Sequence, residues 1–193
     1  MKAFFSELRG ALVSTLILAV VCCGLYPIAV TGISQACFKA KANGSLITDK
    51  NGALIGSSLI GQAFTGEKYF QSRPSAAGTG YDAMSSSGSN LGPTSQKLAD
   101  QIKANVAAYR TANGLAENQP VPADAVTASG SGVDPHISPA NAALQVNRVA
   151  KARNLPVAKI QELVTANTDK EDLGLLGDPG VNILKLNLAL DNL

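Results

Sequence analysis

The chain has 193 residues, 46% of them hydrophobic and only 16% charged, with a net charge of +2. That length suits one domain, or one domain plus an appendage. The low charge density excludes a charged disordered tail as the main feature, and the balance of 16 basic against 14 acidic residues argues against a nucleic-acid partner.

Lys2, Glu7 and Arg9 open the chain, and no charge then appears from Gly10 to Phe38. The apolar centre of this stretch, residues 11–33, would form a helix about 35 Å long, enough to cross a hydrocarbon core of about 30 Å. Pro27 would break a soluble helix, but a membrane helix tolerates it where neighbours satisfy the freed carbonyl. A cleaved signal peptide has an apolar region of about 7–15 residues, shorter than this one. A lipoprotein signal ahead of Cys37 would carry Leu where Ser34 stands. The segment therefore reads as an uncleaved signal anchor. Lys2 and Arg9 before it nearly balance Lys39 and Lys41 after it, and the short basic tail favours a cytoplasmic N-terminus. The expected organisation is a short cytoplasmic N-terminus (1–10), a transmembrane helix (11–33) and a single compact extracytoplasmic α+β domain (34–193). A cytoplasmic domain on a reversed helix is the alternative. Cys22, Cys23 and Cys37 are the only cysteines, so the domain beyond them carries no disulfide. No metal-ligand spacing appears.

In the domain, short apolar runs at 45–47 and 53–56 flank Lys50-Asn51-Gly52 and predict a hairpin. Residues 58–64 and Tyr69-Phe70 suggest further short strands. Residues 71–93, rich in Ser, Gly and Ala, predict a long loop that Arg73, Tyr81 and Asp82 could order. A helix is expected from Pro93 or Thr94 to Asn113-Gly114, with Leu98, Ile102, Val106 and Tyr109 at helical spacing. Residues 115–137 are irregular. Ser138 and Pro139 then start a helix through about Arg153, and Asn154 with Pro156 starts another. From Ile183 to Leu190, leucines at 184, 186, 188 and 190 alternate with Lys185 and Asn187, which predicts a half-buried strand.

Candidate chemistry is sparse, and no catalytic or metal site emerges. His136 is the single histidine. Ser129, Ser131 and Asp134 lie close in sequence, but no Gly-x-Ser-x-Gly follows a strand. Turn chemistry ahead of a capped helix, with His136 supplying a hydrogen bond, explains Asp134-Pro135-His136 better than a triad does. Backbone amides of the Ser129-Gly130-Ser131-Gly132 run could bind phosphate, yet no phosphate-loop pattern accompanies them. Arg148, Lys151 and Arg153 read as a solvated helix face or a site for an acidic partner.

Five phrases carry a further signal. They are Tyr69-Phe70-Gln71-Ser72-Arg73-Pro74-Ser75, Ser87-Gly88-Ser89-Asn90-Leu91-Gly92-Pro93, the run from Ser129 to Pro139, the run from Val146 to Arg153, and the run from Val181 to Asn187. In this order, behind one N-terminal span, they resemble the C subunits of bacterial Kdp-type potassium-transporting ATPases over essentially the whole chain. Val133 departs mildly, since the family often has Leu there.

The resemblance implies a non-catalytic accessory subunit in the cytoplasmic (inner) membrane. Its partners would be a channel-like A subunit, an ATP-hydrolysing P-type B subunit, a small F subunit and membrane lipid. The domain would cap the outer ion entrance of the A subunit. The alternative role in the family is a catalytic chaperone that raises ATP affinity in the B subunit, directly or through transmembrane coupling. On that account Ser129, Gly130, Ser131 and Gly132 are the nucleotide-related motif, with ATP the only implied cofactor and none bound tightly. The candidate partner interface comprises Ala11, Ala19 and Gly24 in the span. In the loops it comprises Arg73, Ser89, Asn90, Asp134 and His136. Near neutrality argues against an electrostatic funnel for potassium.

Overall fold

A computed structural model describes residues 2–171 and 173–193. The chain divides into two compact units, residues 1–55 and 56–193, each described here by itself.

The first unit opens with one long helical run. Helix α1 (Lys2–Ala19) passes into a π-helical turn (Val20–Leu25), which passes into α2 (Tyr26–Cys37). Among the described residues, Phe4–Cys37 is the one helix long and apolar enough to cross a membrane. It extends beyond the predicted 11–33 at both ends. The π turn sits where the sequence places a proline: the Tyr26 N–H donates to the Val21 carbonyl, five residues back, and Pro27 follows. Widening the turn keeps the proline ring clear of the preceding turn and the helix continues. A single turn, α3 (Lys39–Ala42), leads into the predicted hairpin, β1 (Leu46–Thr48) with β2 (Leu54–Ser57). Its turn is closed by Asp49, whose carboxylate accepts from the Asn51 and Ala53 amides at 2.8 and 2.7 Å.

In the second unit, Ser95 caps α4 (Gln96–Asn113) and Gly114, at φ +62°, ends it. The short strand β3 (His136–Ile137) leads into α5 (Pro139–Arg153), with Ser138 accepting from the Asn141 amide as N-cap and Asn154 in the left-handed region as C-cap. Helix α6 (Val157–Ala166) follows, then β4 (Thr168–Asp169), β5 (Gly180–Asn182) and α7 (Ile183–Asp191). The three strands form an antiparallel sheet with β5 in the centre, pairing Ile137 and Thr168 to Val181. Fully buried Phe70, Val149, Ile160, Val181, Leu186 and Leu190 make the main core. Tyr109, Ala125 and Val126 make a smaller one.

Two predicted elements are corrected. Residues 183–190 form a helix, not a strand. The alternating leucines suggest period two, but the buried set is Ile183, Leu184, Leu186, Asn187 and Leu190, in which 183, 186, 187 and 190 follow the three- and four-residue spacing of a helix. Leu, Lys and Ala favour that state, and the Asn182 side chain caps it by accepting from the Lys185 amide at 3.1 Å. The strand lies just upstream, in β5.

Residues 58–64 and 69–70 are likewise not strands. The backbone of Phe70 does pair at both groups, but with the Asn187 side chain: the Phe70 N–H donates to Oδ1 and the Asn187 Nδ2 donates to the Phe70 carbonyl, each at 2.9 Å. Gln145 treats Gln71 the same way, at 2.7 and 3.1 Å. Side-chain amides on two helices thus stand in for a neighbouring strand.

Candidate functional site

The polar residues singled out in the sequence gather where loops 71–93 and 127–138 meet. The approach is a backbone one. A Cβ on Gly132, at φ +69°, would lie 2.5 Å from the Ser87 carbonyl oxygen and 2.7 Å from the Ala77 nitrogen, so only glycine fits. Ser75 Oγ donates to the Gly132 carbonyl at 2.6 Å and accepts from the Tyr81 amide at 2.8 Å. Ser86 Oγ donates to the Ser131 carbonyl at 2.9 Å. The Tyr81 hydroxyl donates to the Arg73 carbonyl at 2.7 Å, and Asp82 caps a short turn by accepting from the Met84 amide. Arg73, Tyr81 and Asp82 therefore order the loop as expected. Burial pushes the Tyr81 phenol above its ordinary value of 10.0, although a hydrogen bond with Ser72 opposes the rise.

A chain of ionisable side chains crosses this junction. Arg73 Nη1 contacts Asp134 Oδ2 at 3.0 Å, and Asp134 Oδ1 lies 3.8 Å from His136 Nδ1. His136 Nε2 meets Asp169 Oδ2 at 2.9 Å, and Lys185 reaches the other Asp169 oxygen at 3.9 Å. His136 on β3 spans the central strand to reach β4 because Gly180 lies beneath it. A Cβ at that position would lie 3.2 Å from the His136 Cβ and 3.3 Å from its ring. His136 thus bridges two carboxylates, and no hydrogen bond among the described residues joins it to Ser129 or Ser131. The Ser129 and Ser131 hydroxyls accept from the amides of their own turn, Gly132 at 2.9 Å and Val133 at 3.2 Å. Ser129 is buried while Gly130 and Ser131 are exposed.

Ser89 and Asn90 lie on the exposed rim of the loop. Ser89 also lines a cleft of about 330 Å³ with Ser75, Leu98, Ile102 and Thr127. Ala11, Ala19 and Gly24 lie on the long helical run of the first unit, and a side chain at Gly24 would meet nothing of its own chain within 4 Å.

Sequence reasoning missed a second polar set beneath this surface. Asp124 accepts from the Ser138 amide, the Ser138 hydroxyl and Asn141 Nδ2, at 2.8, 2.9 and 2.9 Å. Asn141 Oδ1 accepts from the Tyr109 hydroxyl at 2.7 Å and from Gln145 Nε2 at 2.9 Å. Burial drives the Tyr109 phenol far above its ordinary value, Asp124 adding to the rise and Arg148 opposing it. The signal was present: Asn141, Gln145 and Arg148 recur at helical spacing on the core face of α5.

The solvated face predicted for Arg148, Lys151 and Arg153 is also corrected. Arg148 Nη1 donates to the Glu67 and Tyr69 carbonyls at 2.6 and 2.9 Å, and its Nε donates to Asn113 at 2.9 Å. Burial lowers its pKa, with Tyr109 and Glu67 opposing. Arg153 donates to the Lys68 and Leu190 carbonyls, pairs with Asp191 at 2.7 Å and covers the Tyr69 ring. Carbonyls near a helix that lack strand partners attract these guanidinium groups. Only Lys151 of the three is left exposed.

Comparison with known proteins gives this surface its context. The family model described as K+-transporting ATPase, c chain, matches residues 8–192. The potassium-transporting ATPase KdpC subunit of Nitratidesulfovibrio vulgaris is 54% identical over 186 residues, covering 96% of this chain and 93% of the relative. Those of Caulobacter vibrioides and Mycobacterium tuberculosis H37Rv are 52% and 51% identical over 187 residues each. The first match covers 96% of this chain and 93% of the relative, the second 97% and 98%. With a family match that takes in the apolar helix, the corner loops and the final helix alike, this chain belongs to the KdpC family, the c chains of K+-transporting ATPases.

Proposed function

We propose that the chain is a non-catalytic subunit of an ATP-driven potassium importer, anchored by the Phe4–Cys37 helix with its N-terminus inside. The domain lies outside the cytoplasm, over the ion entrance of a channel-like partner. The observation that carries this reading is the family match along residues 8–192, span included. The preordered loop corner supports it. Arg73, Asp134 and His136 are held by mutual contacts rather than poised around an open reaction centre, which suits a rigid docking surface. The Ser129 and Ser131 hydroxyls accept from amides of their own turn, which supports an effect on nucleotide affinity in the ATP-hydrolysing partner that travels as coupling between states.

The test combines topology with transport. Single cysteines replace Met84 and Glu117, both exposed, in a background lacking Cys22, Cys23 and Cys37. An impermeant thiol reagent is applied after only the outer barrier is opened. Labelling is expected, together with restored growth at limiting potassium in cells lacking the native subunit. Protection that ends on lysis would overturn the outside placement. Transport that proceeds without the chain would overturn the subunit role.

A further inference from the structure

By register, the π turn at Val20–Leu25 and the Pro27 that follows it leave two carbonyls without a donor from their own helix. Hydrogen bonds there span five residues, as from the Tyr26 N–H to the Val21 carbonyl. The next bond in that series would run from residue 27 to the Cys22 carbonyl. An α-helical bond from residue 27 would reach the Cys23 carbonyl instead. Pro27 has no N–H for either. In the α-helical register of α2 the Ile28 N–H belongs to Gly24. The nearest aliphatic hydroxyls, on Thr15 and Thr31, are seven or more positions away, about two turns, and the Tyr26 hydroxyl stands at the far end of an exposed ring. The Cys22 and Cys23 thiols point back toward the preceding turn, not to their own carbonyls.

The position of this gap matters. Gly24 is the middle residue of the uncharged stretch Gly10–Phe38, fourteen residues from each end. In a span, the gap therefore falls near the centre of the hydrocarbon, where water supplies no donor and an unsatisfied carbonyl is strongly unfavourable. The side chain missing at Gly24 leaves open space beside it, so another backbone can approach closely.

We propose that the π turn is the docking point for a transmembrane helix of a partner subunit, whose hydroxyl or amide side chain donates to the Cys22 or Cys23 carbonyl. This rests on the reading of Phe4–Cys37 as a span within a multi-subunit complex. The experiment uses the intact complex in its membrane. Pro27→Ala supplies the missing N–H and favours the helix, so the variant does not fail by unfolding the span. It is expected to lower retention of the chain in the solubilised complex about three- to twentyfold, the range of one interhelical hydrogen bond. Gly24→Leu should act in the same direction. Gly10→Leu and Gly32→Leu, also free of contacts within the chain, should not. A photo-crosslinking residue at Val21 or Leu25 should join a partner subunit more efficiently than one at Leu12 or Ile33. Wild-type retention of Pro27→Ala would overturn the proposal, as would adducts confined to Leu12 and Ile33 or formed with a second copy of this chain. A wild-type chain that retains no partner at all would overturn the underlying reading as well.

Discussion

In the helical half of the 56–193 unit, Val149, Ile160, Leu186 and Leu190 are almost fully buried against one another. Across the same unit, loops 71–93 and 127–138 meet through glycine close approaches, serine hydroxyls and one arginine–aspartate pair. The first half is stabilised by apolar area, which is insensitive to direction. The second depends on directional contacts between backbones. One lost atom is felt as a cavity in the first, and one added atom is felt as a clash in the second.

The largest expected effect tests the apolar half. Leu186→Ala should destabilise the domain by about 2–5 kcal/mol through the cavity it leaves. It should lower the thermal midpoint of the purified chain without selectively exposing either loop to protease. Asn187→Leu comes next, at about 3 kcal/mol, because both Phe70 backbone groups lose their partners in a buried site. If Asn187→Leu melts like wild type, the side-chain clamp is not what replaces a strand at Phe70.

Gly132→Ala sharpens the contrast. Its cost is expected at about 2–3 kcal/mol from the left-handed backbone and the clash with Ser87 and Ala77, read as faster cleavage within 71–93. Arg73→Ala should cost about 1 kcal/mol, since the pair with Asp134 is partly exposed. It should loosen the same loop and reduce the yield of assembled complex. An intact yield would remove Arg73 from the interface.

The smallest effect is one of pH. The Tyr81 and Tyr109 phenols titrate above the unfolded value of 10.0, so the fold favours their neutral form. That stability is complete below pH 10 and is lost as pH rises from there toward the folded values. Denaturation midpoints should therefore stay flat as pH 10 is approached and fall beyond it. Tyr109→Phe should reduce the alkaline slope.

Much of this was legible in the residues. The charge-free stretch announced a membrane-length helix that tolerates Pro27. Gly114, Ser138 and Arg153 marked helix ends within a residue, and Pro93 or Thr94 fell two or three short of Gln96, because caps and left-handed positions are local chemistry. Asn51-Gly52 marked the hairpin. The five phrases identified the family. Local patterning was not enough where two periods competed: 183–190 alternates like a strand, and only its packing shows the buried face of a helix. It was also silent where the partner lies far along the chain. Asn187 and Gln145 replace a strand beside Phe70 and Gln71, and Arg148 and Arg153 turn from solvent to the carbonyls at 66–69. Gly132 takes its meaning from Ser87 and Ala77. Sequence alone determined most helix ends and turns, residues 183–190 excepted, since those choices are made between neighbours three or four residues apart. The tertiary structure alone decided which polar side chains are buried and which loops touch, since those choices satisfy backbone groups from residues 40 to 120 positions away.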